Sequence, residues 1–390
     1  MVSGGVGVLA YPWEFLLQPD AAGVLAGSGA AGVAVAGAYH AVRVLRPPGR
    51  PPRVLDLPSA ARYWRPAGGR YPERLTPPSP PAAWAGSAEA AVASCRAAGL
   101  PAGAWLSVLH ATALASAAPD LALVNCYGDR YRHALCPSRP EAADYASALV
   151  GEALRALEPD WLELEATGFH GYRHDSLHDK AGVTVDDELA RLLSICFCPG
   201  CRRAQAAAGL DPDRAAAVVA AWADDLLAAA PTGRRPDPLD ERSSLLAAVL
   251  EVRAGIVTAL LGRLVAQCRA AGIAVAQHAG LPAGTVGSRV PLATALAAGV
   301  DAVVLTTDAL PPVVAAADVA AAVRQAAGEA SVLAGVRGFP PDVRSAADLA
   351  TRLTGAAVAG AAGARLHTYG LIGATQLGWL ATTGWPGEGS

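Results

Sequence analysis

Short β-like runs recur along the chain at Val6–Tyr11, Gly32–Tyr39, Gly103–His110, Trp161–Thr167, Ile273–His278, Ala302–Thr307, Val332–Val336 and Ala364–Tyr369, mostly apolar but with Glu163 and Glu165 inside the fourth. Runs of this length and make-up read as strands, and acids set inside one of them need a reason to be buried. Each is followed by an alanine-rich segment of helical character that closes on glycine. The phrase Cys95-Arg-Ala-Ala-Gly-Leu100 returns as Cys268-Arg-Ala-Ala-Gly-Ile273, giving a helix end, a glycine cap and a buried strand in the same order. Similar junctions stand at Ala297-Ala-Gly-Val300 and Gly360-Ala-Ala-Gly363. Eight strand-helix units predict a closed (β/α)8 barrel, the TIM-barrel fold, with an open doubly wound sheet as the alternative.

Two stretches interrupt the count. Between the second and third strands, Arg46–Pro81 is rich in proline and arginine and carries Tyr63, Trp64 and Tyr71, with Trp84 close by, which predicts an ordered loop across one end. After the fourth strand, residues 168–271 hold a histidine-rich loop, a cysteine cluster and two long amphipathic helices expected over Ala204–Ala229 and Pro238–Ala271. Neither stretch has the makings of a separate domain, so residues 1–390 are expected to form one barrel domain.

Composition narrows the partners. A hydrophobic content of 53% with 17% charged residues describes a globular chain, and the net charge of −3 offers no basic face for nucleic acid or a membrane. No uninterrupted apolar run of spanning length stands out, and the first residues lack the charged region and apolar core of a signal peptide. Seven cysteines, three of them within six positions, fit a metal site in a reducing compartment better than a disulfide framework, so a cytoplasmic location is expected.

Barrel enzymes build their sites from the strand ends that lead into the helices. Here those ends carry Trp13 and Glu14, His40, His110, Glu165, His278, Asp308, Arg337, and His367 with Tyr369. The chain has only 21 aromatic residues, yet Tyr11, Trp13, Tyr39, Phe169, Phe339 and Tyr369 fall at or just past these ends. Rings beside carboxylates and imidazoles suit a small molecule or oligosaccharide, whose C–H faces pack on the rings while its hydroxyls take hydrogen bonds. His170, His174 and His178 are spaced by four, with Asp175 and Asp179 alongside; Gly168 and Gly171 argue against a helix there, so a lid over the rim is expected. A metal-dependent hydrolase using His40, His110, His278 and His367 is a rival reading. It is disfavoured by the first strand, Leu9-Ala-Tyr-Pro-Trp13, which has no His-x-His.

Cys196-Phe-Cys-Pro-Gly-Cys201 supplies three soft ligands on a tight turn, and tetrahedral zinc needs one more. Cys136, in Leu135-Cys-Pro-Ser-Arg-Pro-Glu141, is the candidate, with Cys126 behind it. In this order, Cys136-Pro-Ser-Arg-Pro140, Trp161–Thr167 and Cys196–Cys201, the stretch from Asn125 to Arg203 resembles the glycoside hydrolases of family 42 and related glycosidase-like barrels. The resemblance implies a structural zinc on Cys136, Cys196, Cys198 and Cys201, and Glu165 as general acid/base. The pattern departs from the family twice: Leu164 stands where an asparagine precedes the glutamate, and Ala334-Gly-Val-Arg-Gly338 has no acid at the end of the seventh strand. That leaves Asp308 or Glu14 as the second carboxylate, with Trp13, Tyr39, His110, His170, His174, His278, Arg337, His367 and Tyr369 as the expected ligand-binding set. A barrel that keeps a sugar cleft without the chemistry is the other reading.

Overall fold

The two copies of the Cys-Arg-Ala-Ala-Gly phrase close their helices in the same way. Gly99 and Gly272 take φ of 78° and 73°, a region that costs a side-chain-bearing residue dearly. Leu100 N–H then donates to Cys95 O at 2.9 Å and Ile273 N–H to Cys268 O at 3.0 Å, the bond that turns a helix end into a strand start. The computed structural model describes residues 4–173, 180–230, 240–281 and 289–386.

Eight strands follow from such junctions: β1 Gly5–Ala10, β2 Gly32–Tyr39, β3 Ala102–Ser107, β4 Trp161–Glu165, β5 Ala274–Gly280, β6 Ala302–Thr306, β7 Ser331–Arg337 and β8 Gly363–Tyr369. Each pairs in parallel with its sequence neighbours, and β1 pairs with both β2 and β8, so the sheet closes into a (β/α)8 barrel. Every expected strand is one of the eight.

The barrel is filled by large side chains set against glycines. A Cβ on Gly103 would lie 2.3 Å from the Trp161 ring, and one on Gly7 would lie 2.7 Å from Arg365 Nη1. Trp161 and Arg365 therefore occupy the space that those glycines give up, and both converge on Glu163.

The Arg46–Pro81 stretch is more structured than a loop. Val42–Leu45 and Val54–Leu57 pair as a hairpin, and Ala61–Arg62 adds an antiparallel strand to the end of β2. Two buried carboxylates pin it. Glu14 accepts from Arg46 Nε and Nη2, each at 2.7 Å, and Arg46 also donates to the carbonyls of Arg50, Pro51 and Pro52. Glu152 accepts from Arg62 at 2.7 Å, Tyr71 at 2.6 Å and the N–H groups of Ala67 and Gly69.

Between β4 and β5 the expected helix over Ala204–Ala229 is two, Pro199–Ala207 and Pro212–Ala229, because Gly209 turns the chain at φ 81°. With Asp187–Leu193 and the start of Asp240–Ala270 they enclose a small second core of Leu192, Ile195, Phe197, Val219, Trp222 and Val249. The stretch Arg242–Ala270 is long and apolar enough to cross a membrane, although its charges break the run when read residue by residue. Here it lies along the barrel with Leu260, Leu261, Leu264 and Val265 buried.

Candidate active site and metal centre

Residues paired across parallel strands point to the same side of the sheet, so register stacks the barrel interior into layers. Trp105 pairs with Glu163, Ser107 with Glu165, and Arg337 with His367. The lower layer is a closed polar knot. Glu163 accepts from Arg365 Nε at 2.6 Å and Trp161 Nε1 at 2.8 Å, and His278 Nε2 stands 3.4 Å from its other oxygen. Burial raises the Glu163 pKa, but the Arg365 charge and the His278 contact outweigh it and hold the group down at about 2.

One layer up is the mouth. Glu165, part-exposed at the end of β4, accepts from Trp105 Nε1 at 2.9 Å. Trp105 lies parallel to the His278 ring at 6.0 Å and edge-on to Tyr39 at 4.8 Å, and Tyr39 meets Tyr11 at 5.3 Å. His367 lies 6.0 Å beyond His278. Burial lowers the His367 pKa, and of the charges it feels that of Asp308 is the largest. Asp308, just past β6, has a side chain 17% exposed and sits 3.7 Å from Arg337. Its Oδ1 and the Nε2 of His367 are both buried without a hydrogen-bond partner among the described residues. Gly335 leaves room beside that nitrogen, since a Cβ there would lie 3.6 Å from it.

The backbone around the two acids is unusual. Four residues other than glycine have positive φ among those described. Glu158 and Ala327 cap helices; the other two, Ala166 at 54° and Ala309 at 60°, directly follow Glu165 and Asp308. Such strain persists only where surrounding contacts impose it, and it concentrates at functional sites. Ala166 O accepts from Leu109 N–H at 3.0 Å and Ala309 N–H donates to Asp342 at 2.9 Å, so both turns are clamped.

Three expected site residues lie elsewhere. Trp13 is 0% exposed, stacked between Tyr11 at 4.5 Å and Trp84 at 5.6 Å under the insertion. Glu14 is 0% exposed and held by Arg46, so its lone pairs are committed to structure. Tyr369 is also wholly buried, covered by Arg50 at 4.6 Å with its hydroxyl near Gln18. For Trp13 and Glu14 the cause is the helix Pro12–Leu17, which begins at once after β1 and carries them away from the mouth; Tyr369 ends β8 and is covered by Arg50 of the insertion. His174 lies outside the described residues. Trp105, Arg365, Glu152 and Arg46, which hold the site and the insertion, were not singled out by sequence; for Trp105 the usable signal was its position two residues before the rim on β3.

The histidines form a stack. His40 lies on His110 at 4.6 Å, His110 on His170 at 4.2 Å, and His133 meets His170 edge-on at 5.2 Å. His40 Nδ1 contacts the Ala41 carbonyl, and His133 Nε2 contacts the carbonyls of His170 and Gly171. The His40–His110 and His110–His170 contacts are face to face. Among the described residues the group of three or more His, Cys, Asp or Glu placed to share an ion is the cysteine cluster.

That cluster comprises Cys136, Cys196, Cys198 and Cys201, all buried, with their sulfurs within 4.8 Å of one another. Cys136 Sγ is 3.7 Å from those of Cys196 and Cys201 and 3.6 Å from that of Cys198. A disulfide would need about 2.05 Å. Four sulfurs each about 2.3 Å from one tetrahedral ion stand about 3.8 Å apart, so the donor set fits such an ion. Val124 N–H and Cys198 N–H both donate to Cys196 Sγ, and the Ser138 hydroxyl contacts three of the four sulfurs, as outer partners of a thiolate site do. Hydrogen bonding with Cys136, Cys196 and Cys201 pushes the Cys198 thiol down, whereas burial pushes Cys136 up and hydrogen bonding with Cys136 pushes Cys201 up. Cys126 is not in the group.

No family model matches the chain, and no curated protein matches it in sequence. Solved structures do match. The catalytic domain of β-amylase from Paenibacillus polymyxa superposes with a TM-score of 0.57 at 12% identity over 98% of both chains. The glycoside hydrolase domain of PgaB (BpsB) from Bordetella bronchiseptica gives 0.54 at 14% over 93% of both. β-Galactosidase from Bacillus circulans sp. alkalophilus gives 0.56 at 12% over 94% of this chain and 50% of its own. The chain thus has the barrel fold that these glycoside hydrolases share.

Proposed function

We propose that the barrel mouth binds a carbohydrate and cleaves a glycosidic bond, with Glu165 as the proton donor and Asp308 as the base. In this reading the Glu165 carboxyl protonates the leaving glycosidic oxygen as its bond to the anomeric carbon breaks. A water attacks that carbon from the opposite face and gives its proton to the Asp308 carboxylate, the arrangement of an inverting enzyme. His367, with a pKa lowered by burial, is neutral near pH 7 and can share a hydrogen bond with the water or a sugar hydroxyl. Tyr39, Trp105, His278 and His110, packed on one another and on neighbouring rings, wall the mouth, and part-exposed Arg337 offers a polar edge.

The observation that carries this reading is the paired strain at Ala166 and Ala309, each aiming the acid before it from a clamped turn. The likeness in fold to glycoside hydrolases supports it. Glu165→Gln and Asp308→Asn should each lower turnover of a cleaved glycoside by about 100-fold or more without changing the melting temperature, since a positioned acid or base contributes roughly 10²–10⁴. Unchanged turnover in Glu165→Gln would remove that residue from the chemistry. A second reading, sugar binding without cleavage, is favoured by Gly335 and Arg337, which give β7 no acid. Tight binding with no hydrolysis across a glycoside panel would select it.

We propose further that the four cysteines hold a structural zinc. An ion with four protein ligands has no open position, so its contribution is to fix the loops after β3 and β4 rather than to act on substrate.

A further inference from the structure

Arg253 stands midway along the helix Asp240–Ala270 with no carboxylate beside its guanidinium among the described residues. Its donors go instead to two carbonyls, Nη1 to Ser194 O at 2.7 Å and Nη2 to Phe169 O at 3.4 Å, and its plane covers the Phe169 ring at 4.5 Å. Burial pushes its pKa down, and the groups near enough to oppose that are the sulfurs of Cys196, Cys201 and Cys136. With Cys196 and Cys201 it lines a narrow crevice shared with Phe169, Gln205 and Ile256. A cation drawn out of water calls for a nearby anion. Four neutral thiols supply none, whereas four thiolates around one divalent ion carry a net charge of −2.

We propose that Arg253 is the counter-charge of the metal–thiolate centre and couples its occupancy to the loop that follows β4. The inference rests on the zinc reading above. The coupling runs through the two carbonyls. Ser194 Oγ accepts from Tyr172 N–H at 2.8 Å, and Gly171 packs so closely on Ser194 that a Cβ would lie 2.1 Å from its side chain. The carbonyls of His170 and Gly171 in turn meet His133, so the segment Phe169–Tyr172 is fixed between the cluster and the histidine stack at the mouth. Release of the metal would leave Arg253 without its anion and loosen that segment.

The test follows zinc leaving the full-length protein under excess chelator, read with a colorimetric indicator, in wild type, Arg253→Gln and Arg253→Lys. Arg253→Gln should release zinc about 10- to 100-fold faster, the range typical of outer partners of a metal site. Arg253→Lys, which keeps the charge, should stay within a few-fold of wild type. Amide exchange at Phe169–Tyr172 should rise in Arg253→Gln and in chelated wild type alike. If Arg253→Gln does not fold, Arg253→Met, which keeps the stem over Phe169, takes its place. Release at the wild-type rate from the neutral variant, or equally fast release from the lysine variant, overturns the counter-charge while leaving the zinc in place. Wild-type protein that carries no zinc overturns both.

Discussion

Glu163 and Glu165 lie two residues apart on one strand and point the same way, yet depth gives them different work. Glu163 is wholly buried against Arg365; Glu165 reaches the mouth on the Trp105 N–H. The parity was legible in the sequence, because alternate residues of a strand share a face. The partner was not, since Arg365 is 202 residues away and only barrel closure brings β8 across from β4. A carboxyl held near 2 when folded and near 4.5 when unfolded stabilises the fold fully above pH 4.5, and that stability is lost as pH falls toward 2. The shift corresponds to about 3 kcal/mol. Glu163→Gln should therefore be less stable than wild type by about that much at pH 7, and urea melts at falling pH should show the gap narrowing below pH 4.5. A gap that stays constant to pH 3 would mean that the ion pair adds nothing. Glu152, also held at about 2 where the Tyr71 hydroxyl and two backbone N–H groups outweigh its burial, keeps some acid sensitivity in the variant.

At the scale of elements, the eight strands were legible as short β-like runs each followed by an alanine-rich helix that ends at glycine, although β4 and β8 carry Glu163, Glu165, Arg365 and His367 at alternate positions. What such a run does not disclose is how the chain turns on leaving the barrel. Trp13, Glu14 and Tyr369 sit where the sequence put them along the chain but turn under the insertion instead of into the mouth. The insertion itself read as an arginine- and proline-rich loop, and its arginines turn out to be the means of attachment, Arg46 to Glu14 and Arg62 to Glu152. Removing one partner of a buried pair strands the other, at about 3–5 kcal/mol. Glu14→Ala should lower stability by that order and speed proteolysis within residues 46–81. If Glu14→Gln instead kept its melting temperature and lost only turnover, Glu14 would return to the chemistry.

On the scale of the whole molecule, the cysteine cluster joins parts that have little else in common. Cys136 follows the Arg130–Leu135 strand above β3, while Cys196, Cys198 and Cys201 open the helix Pro199–Ala207 beyond β4. The second core, around Ile195, Phe197 and Trp222, meets the barrel near this point. That core is small, and small cores need a staple. The spacing of the three later cysteines, and Cys136 upstream, was readable from the sequence because ligand spacing on a turn is local; the crevice and Arg253 beside it were not, since they depend on how a helix some fifty residues on packs back. Metal analysis of protein made under reducing conditions should give close to one zinc per chain. A metal bound only by the folded form adds stability in proportion to its binding, so chelation should lower the melting temperature, and Cys198→Ser should do the same. Loss should be uneven. Amides in Asp187–Leu193 and Pro199–Ala207 should exchange first, while those of β1 to β8, closed by their own hydrogen bonds, keep their protection. Equal loosening of barrel and excursion would make the cluster part of the main core; no change on chelation would leave the four cysteines as ordinary buried thiols.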